Sequence, residues 1–155
     1  MHSYHVPVLL NESIDGLNVH PKGIYVDATY GGGGYSEIIL KKLSGGRLFA
    51  FDMDEAASAL LPKSRKFFFV HGNFKFIKNY LKYYGIEKVD GIVADLGVSS
   101  RHLDQAERGF TYRIPAPLDM RMNSRSNLTA ETVINEYEKE HLSALFQSYG
   151  ELKQS

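Results

Sequence analysis

The chain reads as an α/β fold built on a parallel sheet, and three observations predict it. Short apolar runs recur at helix-length intervals: Ile24-Tyr-Val-Asp27, Leu48-Phe-Ala-Phe-Asp52, Phe67-Phe-Phe-Val70 and Val89-Asp-Gly-Ile-Val-Ala-Asp95. The first, second and fourth end in an acid, and the first leads through Ala28-Thr-Tyr30 into Gly31-Gly-Gly-Gly34. The intervening segments carry helical spacing, so strand and helix alternate as they do when crossovers join parallel strands.

Val6 to Leu17 is short and mixed, an irregular arm with a turn of helix. Pro21 and Gly23 precede the first strand, Ile24–Asp27, and glycines follow it. Ser36–Leu43 places Ile38, Ile39, Leu40 and Leu43 on one side of a short helix, and Leu48–Asp52 is the second strand. An alanine-rich helix over Glu55–Leu61 stops near Pro62, with Asp54 as its cap. Phe67–Val70 is the third strand, Phe74–Tyr84 a helix ended by Gly85, and Val89–Asp95 the fourth strand. Residues 101–128 hold five arginines, two prolines and few apolar positions, so they form a long ordered loop or small lid. A helix then starts at Thr129, which caps it, with Glu131 in its first turn and Leu128 stapled onto Val133. The last helix bears Leu142, Leu145, Phe146 and Tyr149 on one face and closes at Gly150. Four strands leave Val89–Asp95 as a bare edge, although it reads as a buried central strand. With the open stripe of the last helix, this suggests a piece of a longer protein, or a domain whose edge a second copy covers as a homodimer.

At 155 residues and 43% apolar content, one ordinary domain with a core is expected. Eighteen basic residues balance eighteen acidic ones, which removes any global pull toward nucleic acid or membrane. No cysteine is present, which rules out disulfides and thiolate metal sites and fits a reducing cytoplasm. The six histidines lack helical metal-ligand spacing, so no metal is expected.

The strand-end chemistry is that of a nucleotide-type site, because glycines let the backbone approach a ligand and an acid on the next strand can hold a ribose diol. A dinucleotide frame G-x-G-x-x-G fails: begun at Gly31 or Gly32, its third glycine falls on Ser36 or Glu37. Asp27, the glycine cluster and Asp52 together match the layout of S-adenosylmethionine (AdoMet) methyltransferases, whose ligand carries no phosphate. Asp52 is the candidate for the ribose hydroxyls. Asp27 binds ligand or merely caps its turn. Phe74 is core or stacks on an adenine, and Asp95 orients the methionine ammonium or stands near the substrate amine. Lys63–Lys88 holds seven basic residues against Glu87 alone, with Lys75, Lys78 and Lys82 on one helical face. Arg101, Arg108, Arg113, Arg121 and Arg125 lie in the loop beside the expected site. They contact phosphates, or they form an internal scaffold such as Arg121 with Asp119 or Asp104.

Several motifs together resemble one family. They are His5-Val-Pro-Val-Leu-Leu10, Asp27-Ala-Thr-Tyr-Gly-Gly-Gly-Gly-Tyr-Ser36, Asp90-Gly-Ile-Val-Ala-Asp-Leu-Gly-Val-Ser-Ser100, Asp104-Gln-Ala-Glu-Arg-Gly-Phe110 and Pro117-Leu-Asp-Met-Arg-Met122. Across nearly the whole chain the sequence is similar to the bacterial 16S ribosomal RNA (cytosine-N4)-methyltransferases, the MraW/RsmH family. The resemblance implies a Rossmann-like class I AdoMet-dependent methyltransferase fold with an incomplete sheet. Residues 1–125 would form the N-terminal part of the AdoMet domain and 126–155 the start of an inserted helical domain. It implies AdoMet contacts at Gly33, Gly34, Tyr35, Asp52, Phe74, Asp95 and His102, and a cytidine at the decoding centre as substrate. Asp95 is the candidate catalytic group, and Arg101, Arg108 and Arg113 the candidate RNA contacts. The family's Gly-His-Ser is here Gly34-Tyr35-Ser36, which removes an imidazole but leaves backbone contacts. The family's later core strands are missing, so the fragment is expected to be inactive alone.

Three other readings compete. DNA amine methyltransferases place an Asp-Pro-Pro-aromatic motif where this chain has Asp95-Leu-Gly-Val98, and another amine substrate remains an alternative. A nicotinamide oxidoreductase is disfavoured by the failed glycine frame. A non-catalytic RNA- or ribosome-binding module would bind RNA without methyl transfer.

Overall fold

The structure, a computed structural model, describes residues 7–152, apart from the side chains of Leu60 and Arg101. His5 and Val6 of the first motif lie outside the described residues. The chain packs as two compact units, divided between Gly97 and Val98.

In the first unit, α1 (Leu10–Leu17) leads to β1 (Ile24–Asp27), α2 (Gly34–Lys42), β2 (Arg47–Asp52) and β3 (Phe67–His71). Then come α3 (Ile77–Tyr83) and β4 (Gly91–Val93). All pairings are parallel, in the order β3-β2-β1-β4, with Asp27 opposite both Ala50 and Val93 and Asp52 opposite His71. The central strands are buried on both faces, which is why they read as continuous apolar runs. Alternation along them divides the core. Tyr25 and Leu48 pack with Ile14, Tyr35 and Ile39 of α1 and α2, whereas Val26, Phe49 and Phe51 pack with Leu81 of α3 and with Ile86. Helices therefore cover both faces of the sheet, as in a Rossmann-like methyltransferase fold. Each such fully buried large apolar side chain contributes about 1.5–3 kcal/mol.

The structure refines several boundaries. The expected irregular arm is the eight-residue helix α1, whose Ile14 is buried and which Asn18 ends in the left-handed region at φ 47°. Asn tolerates that region, and the helix lacks a side-chain cap that would have announced it. The alanine-rich segment is a 3-10 run over Glu55–Leu60, capped by Asp54 as expected. Such 3-10 turns are common in short connectors. The helix expected from Phe74 opens with a 3-10 turn, Phe74–Phe76, capped by Asn73. The fourth strand shrinks to three residues, and side-chain bonds across to β1 and the loop after it mark its two ends. Asp90 Oδ2 accepts the Ile24 N–H at 2.7 Å before it, and the Asp95 N–H is diverted to Thr29 Oγ1 at 2.7 Å after it. As expected, β4 is a sheet edge, and its Ile92 is half exposed.

The second unit contains α4 (Ser100–Asp104), a 3-10 turn at Ala106–Arg108, α5 (Ala130–Glu136) and α6 (Lys139–Gly150). Thr129 caps α5 by accepting the Thr132 N–H at 3.1 Å, as its spacing predicts. The arginine-bearing loop is ordered by backbone bonds: Met120 N–H to the Arg108 carbonyl, Ala130 N–H to that of Asp119, and Glu131 N–H to that of Leu118. The apolar stripe of α6 stays largely open, with Tyr149 87% exposed. Among the described residues no helix is long and apolar enough to cross a membrane.

Candidate functional site

Strand order reverses between β1 and β4, since the chain moves outward through β2 and β3 and then returns to the far side of β1. Ligands of open α/β sheets bind at such a switch point, outside the carboxyl ends of the strands. In the first unit that position gathers Asp27, the glycine turn, Asp52 and Asp95.

Asp27 has no solvent exposure, and its Oδ1 accepts the Thr29 N–H at 3.2 Å while Oδ2 accepts the Ser36 hydroxyl at 2.7 Å. Burial pushes its pKa up to about 6, against the opposing hydrogen bonds, and the charges of Asp52 and Asp95 push the same way. Of the two roles open to Asp27, the structure displays the turn-capping one. Thr29 and Ser36 were not singled out from sequence, although the Asp-x-Thr spacing of an Asx turn signals the first.

Asp52 is placed by the end of β2, and its carboxylate shapes the loop beside it. Oδ2 accepts the Gly31 N–H at 2.7 Å and Oδ1 the Asp54 N–H at 2.8 Å. A carboxylate offers about four acceptor positions, so further hydrogen bonds remain open to both oxygens. Gly33 caps α2 at φ 79°, and a Cβ there would sit 2.7 Å from the Tyr30 hydroxyl. Tyr30 is itself buried, with its ring against those of Phe67 and Phe69. Tyr30 therefore floors the glycine turn, a role that sequence reasoning missed because an aromatic between a strand and a glycine run has no distinctive spacing.

Gly34 and Tyr35 open α2. The Tyr35 side chain is buried in the core among Ile14, Ile39 and Leu43, and its hydroxyl donates to the Val8 carbonyl. Burial raises its phenol pKa. The ring is thus a structural tie, and its backbone is what remains for a ligand. Asp95 is exposed, and among the described residues its carboxylate has no hydrogen bond or ion pair. Phe74 is 41% exposed rather than packed as core. Near it, a His71 ring nitrogen lies 3.0 Å from the Met53 carbonyl, linking the loops after β3 and β2.

The other candidates lie in the second unit. His102 is buried, its Nδ1 accepts the Ser99 N–H at 3.1 Å, and its ring packs against Phe110. Arg108 donates to the carbonyls of Arg121 and Met122 at 2.9 and 3.2 Å, so its guanidinium knits the loop. Arg121 grips both oxygens of Asp119, one of the internal pairs weighed from sequence. That pairing holds the Asp119 carboxyl below its ordinary pKa. Arg113 is exposed, and the Arg101 side chain lies outside the described residues. Among the described residues no group of three or more His, Asp or Glu could hold a metal ion.

Three carboxylates at neighbouring strand ends make the crevice electronegative. Such a field attracts a cationic ligand and opposes a pyrophosphate, and the Gly31 N–H that a phosphate would need is already held by Asp52. A family model described as the MraW methylase family matches residues 2–155. The chain belongs to the MraW methylase family. Similar relatives named ribosomal RNA small subunit methyltransferase H include that of Phocaeicola vulgatus, 56% identical over 98% of this chain and 50% of the relative. That of Bacteroides thetaiotaomicron is 54% identical over 99% and 51%, and that of Flavobacterium johnsoniae 53% identical over 97% and 50%. The chain therefore spans about half the length of these MraW-family relatives.

Proposed function

We propose that this chain is the cofactor-holding half of an AdoMet-dependent methyltransferase that acts on the exocyclic N4 of a cytidine in 16S ribosomal RNA. The observation that carries the reading is the electronegative crevice at the switch point, where Asp52 orders the glycine turn and Asp27 and Asp95 stand at the adjacent strand ends. The relatives' names supply the ribosomal substrate, and a cytoplasmic setting for this chain is the reading that goes with it. Residues 1–125 serve as the N-terminal part of the AdoMet domain and 126–155 as the start of a helical insertion. The open β4 edge is the face on which two copies would associate.

The residues fit the cofactor. AdoMet is cationic at its sulfonium and ammonium groups, which suits three neighbouring carboxylates, and the turn at Gly33 has no room for a side chain. When bound, it supplies a methyl group activated by positive sulfur. Asp52 would accept hydrogen bonds from the ribose diol, and the backbone of Gly33, Gly34 and Tyr35 would hold the ligand beside it. Phe74 offers an exposed ring face to the adenine, and His102 braces α4. Asp95 orients the ammonium or accepts a proton of the N4 amine, localising a lone pair otherwise shared with the ring. The remaining requirement is alignment of the amine with the methyl, which is an orientation problem rather than an acid–base one. Arg101 and Arg113 hold RNA phosphates, with Arg108 shaping the loop they share, and the target base leaves its stack to enter.

The test joins this chain to the second half of the Phocaeicola vulgatus relative and supplies labelled AdoMet and small ribosomal subunits. Label recovered as N4-methylcytidine supports the proposal. Label on another atom, or RNA binding without transfer by a fusion that binds AdoMet, overturns it.

A further inference from the structure

Outside the cofactor crevice, β3 and α3 flank a second, open concavity of about 480 Å³, lined by Phe69, His71, Asn79, Tyr80, Tyr83 and Tyr84 among others. Its volume is in the range of small-molecule sites, roughly 300–1,000 Å³. Neither Gly33, Asp52, Phe74 nor Asp95 contributes to it. Tyr84 is anchored, with its ring 5.5 Å from that of Phe68 and 5.2 Å from that of Phe49. Tyr83 projects edge-on from it at 5.3 Å and is 83% exposed, so it adds little to the core.

Charge flanks this aromatic lip. Asn79 and Tyr83 stand one turn apart on the wall of the pocket, and Lys78 and Lys82 immediately precede them, forming the adjacent row with Lys75. All three lysines are exposed, and among the described residues no carboxylate pairs with any of them. Lys78 and Lys82 stand four residues apart in α3, a spacing at which like charges repel, and Lys75 lies in the preceding 3-10 turn with its ammonium 4.8 Å from the Phe76 ring centroid. Lys66 differs, since its ammonium donates to the carbonyls of Leu40 and Leu43 at the end of α2.

We infer that this lip is a second RNA contact: Lys75, Lys78 and Lys82 hold the phosphates of an unpaired strand while a base stacks on Tyr83. Lysines supply sequence-independent affinity and an exposed ring supplies a stacking platform, which together suit single-stranded rather than duplex RNA. The inference rests on the reading that the substrate is RNA, but it involves neither the cofactor crevice nor the arginine loop.

The test is fluorescence anisotropy of the intact chain with a labelled oligouridine of roughly a dozen nucleotides, over a range of salt. Tyr83→Ala should weaken binding about tenfold, whereas Tyr83→Phe should stay within about twofold. The Lys78→Gln, Lys82→Gln double variant should lower the salt slope by about 1.4, as two lost single-strand contacts require. Thermal melting of each variant checks that these exposed substitutions leave the fold intact. No binding by the folded chain overturns the inference, as does binding that these variants leave unchanged or that prefers duplex RNA. AdoMet titration of the same variants should be unaltered. If AdoMet binding is absent while the anisotropy behaves as stated, the cofactor reading fails and the RNA surface stands.

Discussion

The Ser36 hydroxyl donates to Asp27 Oδ2 at 2.7 Å, with both side chains shielded from water. This bond clasps the end of β1 to the first turn of α2 and so fixes the span of the glycine turn between them. It also places a carboxylate where ionisation is costly.

Asp27 makes stability pH-dependent in an unusual direction for an acid. Its folded pKa of about 6 lies above the ordinary carboxylate value of 3.8, so the folded state binds more protons between those values. The stabilisation is complete below the unfolded pKa and is lost as pH rises through the folded one. Two pKa units correspond to about 3 kcal/mol. Asn at this position can still accept from Thr29 and donate to the Ser36 oxygen. Relative to Asp27→Asn, the unsubstituted chain should therefore lose stability between about pH 3 and pH 7 by roughly that amount in urea unfolding. Parallel curves for the two would refute the assignment.

The glycine turn should be unequally tolerant. Gly33→Ala meets both a left-handed φ of 79° and the Tyr30 hydroxyl, whereas Gly31→Ala at φ 50° finds no atom closer than 3.9 Å. Backbone strain alone costs about 1–2 kcal/mol. Gly33→Ala should exceed that in denaturant unfolding while Gly31→Ala should not, and equal losses would show that Tyr30 yields freely.

Tyr35→Phe removes the hydroxyl bond to the Val8 carbonyl and leaves the ring in the core. A loss of about 1 kcal/mol in stability is expected. AdoMet affinity, read by calorimetry, should change little. A large loss of affinity with unchanged stability would place the phenol in the ligand site instead.

Asp119 anchors the loop of the second unit through Arg121. Its carboxyl pKa is depressed, so the contribution is present above the unfolded pKa and lost as pH falls through the folded one. Asp119→Asn should speed amide exchange at Met120, Ala130 and Glu131, whose N–H groups close the loop. Unchanged protection would mean that the backbone bonds hold the loop unaided.

Much of this was legible in the residues. The span Ile24–Asp27 shows fully in sequence because Pro21, Gly23 and the glycine run bracket it, and Thr129 announces α5 because an N-cap is a local device. The shortening of β4 was not legible, since the bonds that mark its ends involve Asp90 and Thr29, which approach their partners only once β1 and β4 pair. At the site, the acids and glycines were readable from type and position. The inward turn of the Tyr35 ring, the floor formed by Tyr30 and the use of Arg108 on carbonyls were not, because each depends on a partner distant in sequence or unmarked by spacing.

The most direct test of the central claim is calorimetric titration of this chain with AdoMet, beside Asp52→Asn and Asp52→Ala. Binding that both substitutions weaken at least about tenfold, in proteins that still melt cooperatively, is the predicted result. A folded chain that does not bind AdoMet, or binds it equally well without the Asp52 carboxylate, would contradict the account.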